Sequence, residues 1–134
     1  MKVMLGLGCD RNTPLSTLRA AVEQALTLIG LDQTAIAGAA SIDKKNDEAA
    51  ILQLAAEHDW PLYFFTAQQL SQVPVPNPSE TVRKYMGTPA VAEAAALLAA
   101  GVDMRALLLE KYKYRGEDGK NATVSIASMK ENDK

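Results

Sequence analysis

The chain has 134 residues, 48% hydrophobic and 22% charged, with 14 basic against 16 acidic residues and a formal net charge of -2. That is room for one domain with a buried core, and too much apolar surface for a disordered chain. The charge balance excludes the basic stripe that broad nucleic-acid binding needs, and 5% aromatics exclude a base-stacking platform.

The lone Cys9 excludes an internal disulfide and a thiolate cage, and with His58 as the single histidine no metal site or resident cofactor is expected. The longest nearly uncharged stretch, Pro89 to Val102, is interrupted by Glu93 and is shorter than the ~20 apolar residues of a membrane span. Met1-Lys2 leads straight into a short apolar run with none of the regions of a signal peptide, so a reducing cytoplasm is the expected location.

In chain order, Lys2 to Leu7 reads as a short strand ending in Gly6-Leu7-Gly8. Thr13 is placed to cap a helix that Pro14 opens. Leu15, Leu18, Val22, Ala25, Leu26 and Ile29 fall on one helical face, and Gly30 closes it. Ala35 to Ile42 predicts a second buried strand. Asn46 or Asp47 is placed to cap a second helix, with Glu48 in its first turn and Ile51, Leu54 and Ala55 as its buried stripe. Pro61 to Phe65 predicts the third strand, and Thr66 caps a short helix carrying Leu70 and Val73.

Pro74, Pro76 and Pro78 bar regular structure, and Ser79 caps a helix through Tyr85. Gly87-Thr88-Pro89 repeats the cap-then-proline device before a buried helix, Ala90 to Ala100, that Gly101 ends. Ala106 to Glu110 and Ala122 to Ser128 predict a last pair of strands around the polar turn Arg115 to Asn121, arranged as an antiparallel hairpin. The domain is expected to span residues 1–128, with 129–134 a frayed polar tail. Strands alternating with helices predict an α/β fold with a mostly parallel, mixed sheet of about five strands, and ligands of such sheets sit beyond the carboxyl ends of the strands.

Four segments are placed to carry chemistry. The first is Gly6 to Pro14, between a strand and a helix. Its glycines allow close backbone approach, Arg11 supplies a cation, and the helix start offers N–H groups to an anion. A tight turn with no ligand is the plainer alternative. Arg11 stands where a dinucleotide fingerprint has its third glycine, and no Gly-Lys-Ser/Thr of a P-loop is present. Cys9 near the helix start is a candidate nucleophile, but a small buried cysteine is the favoured reading. The second segment, Ser41 to Glu48, concentrates charge after a strand; the alternative is a solvated loop. The third is the proline stretch with Asn77 and Ser79, continuing to Gly87-Thr88-Pro89, either a cleft wall or a rigid connection. The fourth, Glu110 to Arg115, alternates basic residues with tyrosines, which on a strand puts Lys111, Lys113 and Arg115 on one face. An edge strand guarded by lysines has the same pattern.

Together these segments resemble the C-terminal domain of the cobalamin biosynthesis protein CbiG and its stand-alone relative CobE. The resemblance rests on Gly6-Leu7-Gly8-Cys9-Asp10-Arg11-Asn12-Thr13, on Ser41-Ile42-Asp43-Lys44-Lys45-Asn46-Asp47-Glu48 and on Phe64-Phe65-Thr66-Ala67-Gln68-Gln69-Leu70. It continues through Val73-Pro74-Val75-Pro76-Asn77-Pro78-Ser79, Gly87-Thr88-Pro89-Ala90-Val91-Ala92-Glu93-Ala94-Ala95-Ala96 and Ala122-Thr123-Val124-Ser125-Ile126-Ala127. It implies a three-layer α/β/α sandwich acting in corrin-ring synthesis. Full-length CbiG opens the lactone of cobalt-precorrin-5A and releases acetaldehyde; the resemblance covers only its C-terminal domain.

Corrin intermediates carry many carboxylates around a large apolar ring, and a binder needs cations and N–H groups at the rim of a cleft. The expected ligand-binding positions are Gly6, Gly8, Cys9, Asp10, Arg11, Asn12, Thr13, Asp43, Lys44, Lys45, Asn77, Ser79, Gly87, Thr88 and Lys111, with Arg83, Lys84 and Lys113 close by. The expected function is to bind or hand on a precorrin or cobalt-precorrin. The alternatives are a component of the lactone hydrolase and a docking module for another pathway enzyme. Asp10, Asp43 and Asp47 are candidate general bases, but no carboxylate pair or triad marks a catalytic residue.

Overall fold

The computed structural model describes residues 1–88 and 90–129. Ten regular elements follow in order: β1 (Val3–Cys9), α1 (Leu15–Leu28), β2 (Ile36–Ile42), α2 (Ala49–His58), β3 (Leu62–Phe65), α3 (Ala67–Ser71), α4 (Glu80–Met86), α5 (Ala92–Ala100), β4 (Leu107–Arg115) and β5 (Asn121–Ser128). The strands form one mixed sheet in the order β3-β2-β1-β5-β4. β1–β2 and β2–β3 are parallel, while β1–β5 and β5–β4 are antiparallel, the latter as the expected hairpin.

Strand alternation divides the core between the two faces of the sheet. Val3, Leu5 and Leu7 of β1 and Ala122, Val124 and Ile126 of β5 pack with the stripes of α1 and α2. On the opposite face Met4 and Ala127 meet Ala96, Leu97 and Ala100 of α5, and Ala40 and Ile42 of β2 meet Ala94 and Ala95. Helices on both faces give the three-layer α/β/α sandwich. Among the described residues no helix is long and apolar enough to cross a membrane.

Several local expectations need correction. β1 runs two residues past Leu7 because Leu7, Gly8 and Cys9 keep pairing with Val124, Thr123 and Ala122. Gly6 and Gly8 therefore lie in a strand, and the turn beyond it is made by Asn12 in the left-handed region (φ 64). Thr13 does not cap α1; its hydroxyl donates to the Asp10 carbonyl at 2.7 Å, and Pro14 stands at the cap position. Neither Asn46 nor Asp47 caps α2, which starts at Ala49 with Glu48 before it and no side-chain cap. Thr88 does not cap α5 either: its buried hydroxyl donates to the Ala90 carbonyl, and Val91 precedes the helix. Pro89 lies outside the described residues. β4 continues through Arg115, five residues beyond Glu110. Thr66 and Ser79 do cap α3 and α4, Thr66 as half of a capping box with Gln69. The expected tail falls at 130–134 outside the described residues; Met129 itself still donates to the Lys2 carbonyl at 2.9 Å.

Gly6 sets the distance between α5 and the sheet. A Cβ built there would lie 1.8 Å from the Ala92 carbonyl oxygen, while one on Gly8 meets nothing nearer than Thr123 Cβ at 3.9 Å. Gly6→Ala forces the first turn of α5 away from β1 and is expected to destabilise by about 1–3 kcal/mol, the usual range for overpacking. Gly8→Ala is expected to be neutral within about 1 kcal/mol. The two denaturant midpoints check this, and equal midpoints would refute the close approach.

Candidate functional site

The carboxyl ends of β1 and β2, the start of β5 and the second half of β4 meet the amino end of α5 around a cavity of about 340 Å³. Gly8, Cys9, Asp10 and Arg11 line it from β1 and the following loop, and Lys45 from the short helical turn after β2. Ser79, Val82 and Met86 come from the start and body of α4, and Ala90 to Glu93 from the approach to α5. Lys111 and Lys113 of β4 and Asn121 and Thr123 of β5 complete the wall. Apolar walls face α4 and α5, and cations stand at the strand ends.

The β1 loop is held by its own polar groups. The Asp10 carboxylate accepts from Asn121 N–H at 2.8 Å and from its side-chain amide at 3.1 Å, tying β1 to β5. Asn12 N–H donates to Glu48 Oε2 at 2.9 Å, which stabilises the left-handed residue. Arg11 is clasped from the β2 side: one guanidinium nitrogen lies 2.8 Å from Asp47 and 3.1 Å from Glu48, and another donates to the Lys44 carbonyl at 3.0 Å. Arg11 therefore serves first as a strut between two loops, although half of its side chain stays exposed.

Of the expected positions, Gly8, Cys9, Asp10, Arg11, Lys45, Ser79 and Lys111 share the cavity. Gly6 lies beneath α5, Asn12 and Thr13 serve the loop, and Lys44 Nζ donates to the Met86 carbonyl at 3.4 Å. Asn77 reaches away, donating to both oxygens of Glu110 at 2.9 and 2.8 Å. Asp43 stands in the turn after β2, Gly87 ends α4 and Thr88 is buried, all three outside the lining. Arg83 pairs with Glu80 at 3.4 Å.

The alternating pattern of β4 separates as expected over Lys111 to Tyr114, while Arg115 lies outside the cavity lining. Tyr112 and Tyr114 pack on the α1 side, where the Tyr112 hydroxyl donates to Gln24, while Lys111 and Lys113 face the cavity. Lys45 and Lys113 form no ion pair with any described residue.

Sequence reasoning missed Glu93. It is 2% exposed, lines the cavity, and lies 3.0 Å from Lys111 Nζ. Its signal was a single charge inside an alanine-leucine run. Val82, Met86, Asn121 and Thr123 were missed because their arrival depends on how α4 and β5 dock. Among the described residues no group of three or more His, Cys, Asp or Glu side chains stands together to hold a metal ion.

Burial pushes the Cys9 thiol above its ordinary value, and Glu48 adds to the shift. Its alkylation by iodoacetamide at neutral pH should run roughly tenfold slower than that of a free cysteine; an equal rate would restore Cys9 as a nucleophile. Arg11 holds the Asp47 carboxyl below its ordinary value, chiefly by their hydrogen bond. The folded group is the stronger acid, so this contribution is present above about pH 4 and lost as the pH falls through the folded value. Asp47→Asn should therefore lower the denaturation midpoint at neutral pH, with a difference from the parent that shrinks in acid. A pH-independent difference would refute the ionic origin.

The Cobalamin synthesis G C-terminus family matches residues 3–127. The chain is 40% identical to Protein CobE of Sinorhizobium sp over 101 residues, covering 74% of this chain and 66% of that protein. It is 29% identical over 123 residues to the cobalt-precorrin-5A hydrolase of Priestia megaterium, covering 92% of this chain but 31% of that protein. The chain thus spans under a third of the hydrolase and about two-thirds of CobE. Among solved structures, CobE from the cobalamin (vitamin B12) biosynthetic pathway superimposes with a TM-score of 0.80 at 30% identity, covering 94% of this chain and 92% of that one. The chiG protein of Agrobacterium tumefaciens has the same fold, with a TM-score of 0.68 at 24% identity, covering 96% and 99% of the two chains. Matched from its first strand to its last, the chain belongs to the Cobalamin synthesis G C-terminus family of cobalamin biosynthesis.

Proposed function

We infer that residues 1–128 form one domain that binds an anionic precorrin or cobalt-precorrin in this cleft and hands it on within corrin synthesis. The observation that carries this reading is the pairing of an apolar wall, Val82, Met86 and Ala90 to Ala92, with the ammonium groups of Lys45 and Lys113 at its rim, which form no ion pair among the described residues. An apolar macrocycle edge suits the first, and peripheral carboxylates suit the second. A cavity of about 340 Å³ is at the small end of ligand pockets, so it receives one edge of so large a ring. The ligand is a tetrapyrrole rather than a nucleic acid, the setting is the cytoplasm, and other enzymes of the pathway are the natural donors and acceptors.

A second reading, the lactone hydrolase, is favoured by the match of nearly the whole chain to part of cobalt-precorrin-5A hydrolase. Asp10 Oδ2 accepts both hydrogen bonds from Asn121 and Asp47 Oδ1 pairs with Arg11, which weakens both as general bases.

The two readings separate in a visible-absorbance titration with cobalt-precorrin-5A followed by product analysis. Binding with a spectral change and no acetaldehyde is the expected result. Acetaldehyde with a shifted product mass would make the chain a hydrolase on its own. Reversing both rim charges, Lys45→Glu with Lys113→Glu, should weaken binding roughly tenfold or more. Unchanged affinity would remove the rim from the site.

A further inference from the structure

Glu48 and Glu93 are each 2% exposed, and their surroundings differ. Glu48 Oε2 accepts from Asn12 N–H and Oε1 lies 3.1 Å from Arg11; Oε1, like Glu93 Oε2, receives no hydrogen bond from a described residue, but Glu48 lies outside the cavity lining and holds the loop. Glu93 faces the cavity, and its partner among the described residues is the Lys111 ammonium, 3.0 Å from Oε2. Among the described residues no N–H or O–H donates to that oxygen in hydrogen-bonding geometry. A buried carboxylate with idle lone pairs costs free energy until a donor completes it. The position at the start of α5 tolerates the negative charge through the helix dipole, yet leaves the acceptor unfilled.

The floor therefore offers donors on Lys111 beside acceptors on Glu93, with no net charge. A ligand carboxylate entering here meets the like charge of Glu93 and has no hydrogen to give it. An uncharged acyl group fits both: its carbonyl accepts from Lys111, and its own N–H, or a water held against an ester, donates to Glu93. The rim has the opposite character, since Lys45 and Lys113 are cations without a partner among the described residues.

We propose that the Glu93–Lys111 pair is a subsite for an uncharged acyl substituent of the ligand, a carboxamide or an ester such as a lactone, set below a rim that takes carboxylates. The proposal rests on the tetrapyrrole reading of this cleft and adds which substituent points inward.

The test is an absorbance titration of the full chain with three cobalt corrins sharing one ring. One has all its side-chain acids free, one has part of them converted to primary carboxamides, and one has an acid closed as a lactone. At least one uncharged form should bind roughly tenfold tighter than the all-acid form. A preference for the carboxamide alone identifies an N–H donor, and a preference for the lactone alone identifies an ester with its water. Glu93→Gln, nearly equal in volume, replaces an acceptor by an amide donor and should abolish or reverse the preference, with thermal melting as the check on folding. If that variant does not fold, Lys111→Met asks the same of the other partner. Equal binding of all three corrins, unaltered by either substitution, overturns the subsite and leaves the tetrapyrrole reading standing. Failure of every corrin to bind overturns both.

Discussion

The contact of α5 with β1 at Gly6 is the constraint from which the cleft follows. With no side chain on that residue, the Ala92 carbonyl sits where a Cβ would otherwise be. Apart from Glu93, α5 is built from alanines and leucines, and its backbone at Ala92 and Ala96 lies against Gly6. The approach fixes the height of the first turn of the helix. It brings Ala90 to Ala92 over the end of β1 as a wall, and it aims Glu93 at β4 within reach of Lys111. A larger residue at 6 would lift that corner and separate the acid from its cation.

The cations around the cleft divide by what already holds them. Arg11 is engaged by two carboxylates and a carbonyl, and Lys111 by Glu93. Lys45 and Lys113 have no such partner among the described residues. Arginine suits the first role, because its planar fork bridges several acceptors at once, and lysine suits the second as a mobile point charge. The cleft therefore has a rigid inner part and a compliant outer one. A macrocycle with many acidic arms fits that division: the ring edge needs a shaped surface, and the arms need charges that can follow them.

Much of the fold was legible in the sequence because it is written in local patterns. The helical spacing from Leu15 to Ile29, the capping residues Thr66 and Ser79, and the glycines after α1 and α5 report their own elements. What failed locally were signals with two outlets. Thr13, Asp47 and Thr88 are all good caps by type, yet each hydroxyl or carboxylate is drawn to a tertiary partner or a nearby carbonyl. Gly6 and Gly8 read as a turn, because spacing alone does not reveal that β5 arrives to pair with them. Glu93 was visible as an odd charge in an apolar run. Its meaning depended on Lys111, 18 positions away and on another element.

The strand order has a kinetic side. β1, the earliest strand of this sheet in chain order, is flanked in the finished sheet by β2 and by β5, its latest. Until residues 121–128 leave the ribosome, β1 has an open flank and β4 has no neighbour. Between the making of β3, which ends at Phe65, and of β5, which starts at Asn121, the nascent chain therefore holds three parallel strands with an unsatisfied edge. Such pairing across nearly the whole length of a chain is slow, and an exposed edge is where foreign strands attach. Gly6 and Gly8 interrupt the branched and bulky residues of β1 on the face that α5 later covers, which makes that edge a poorer template while it waits.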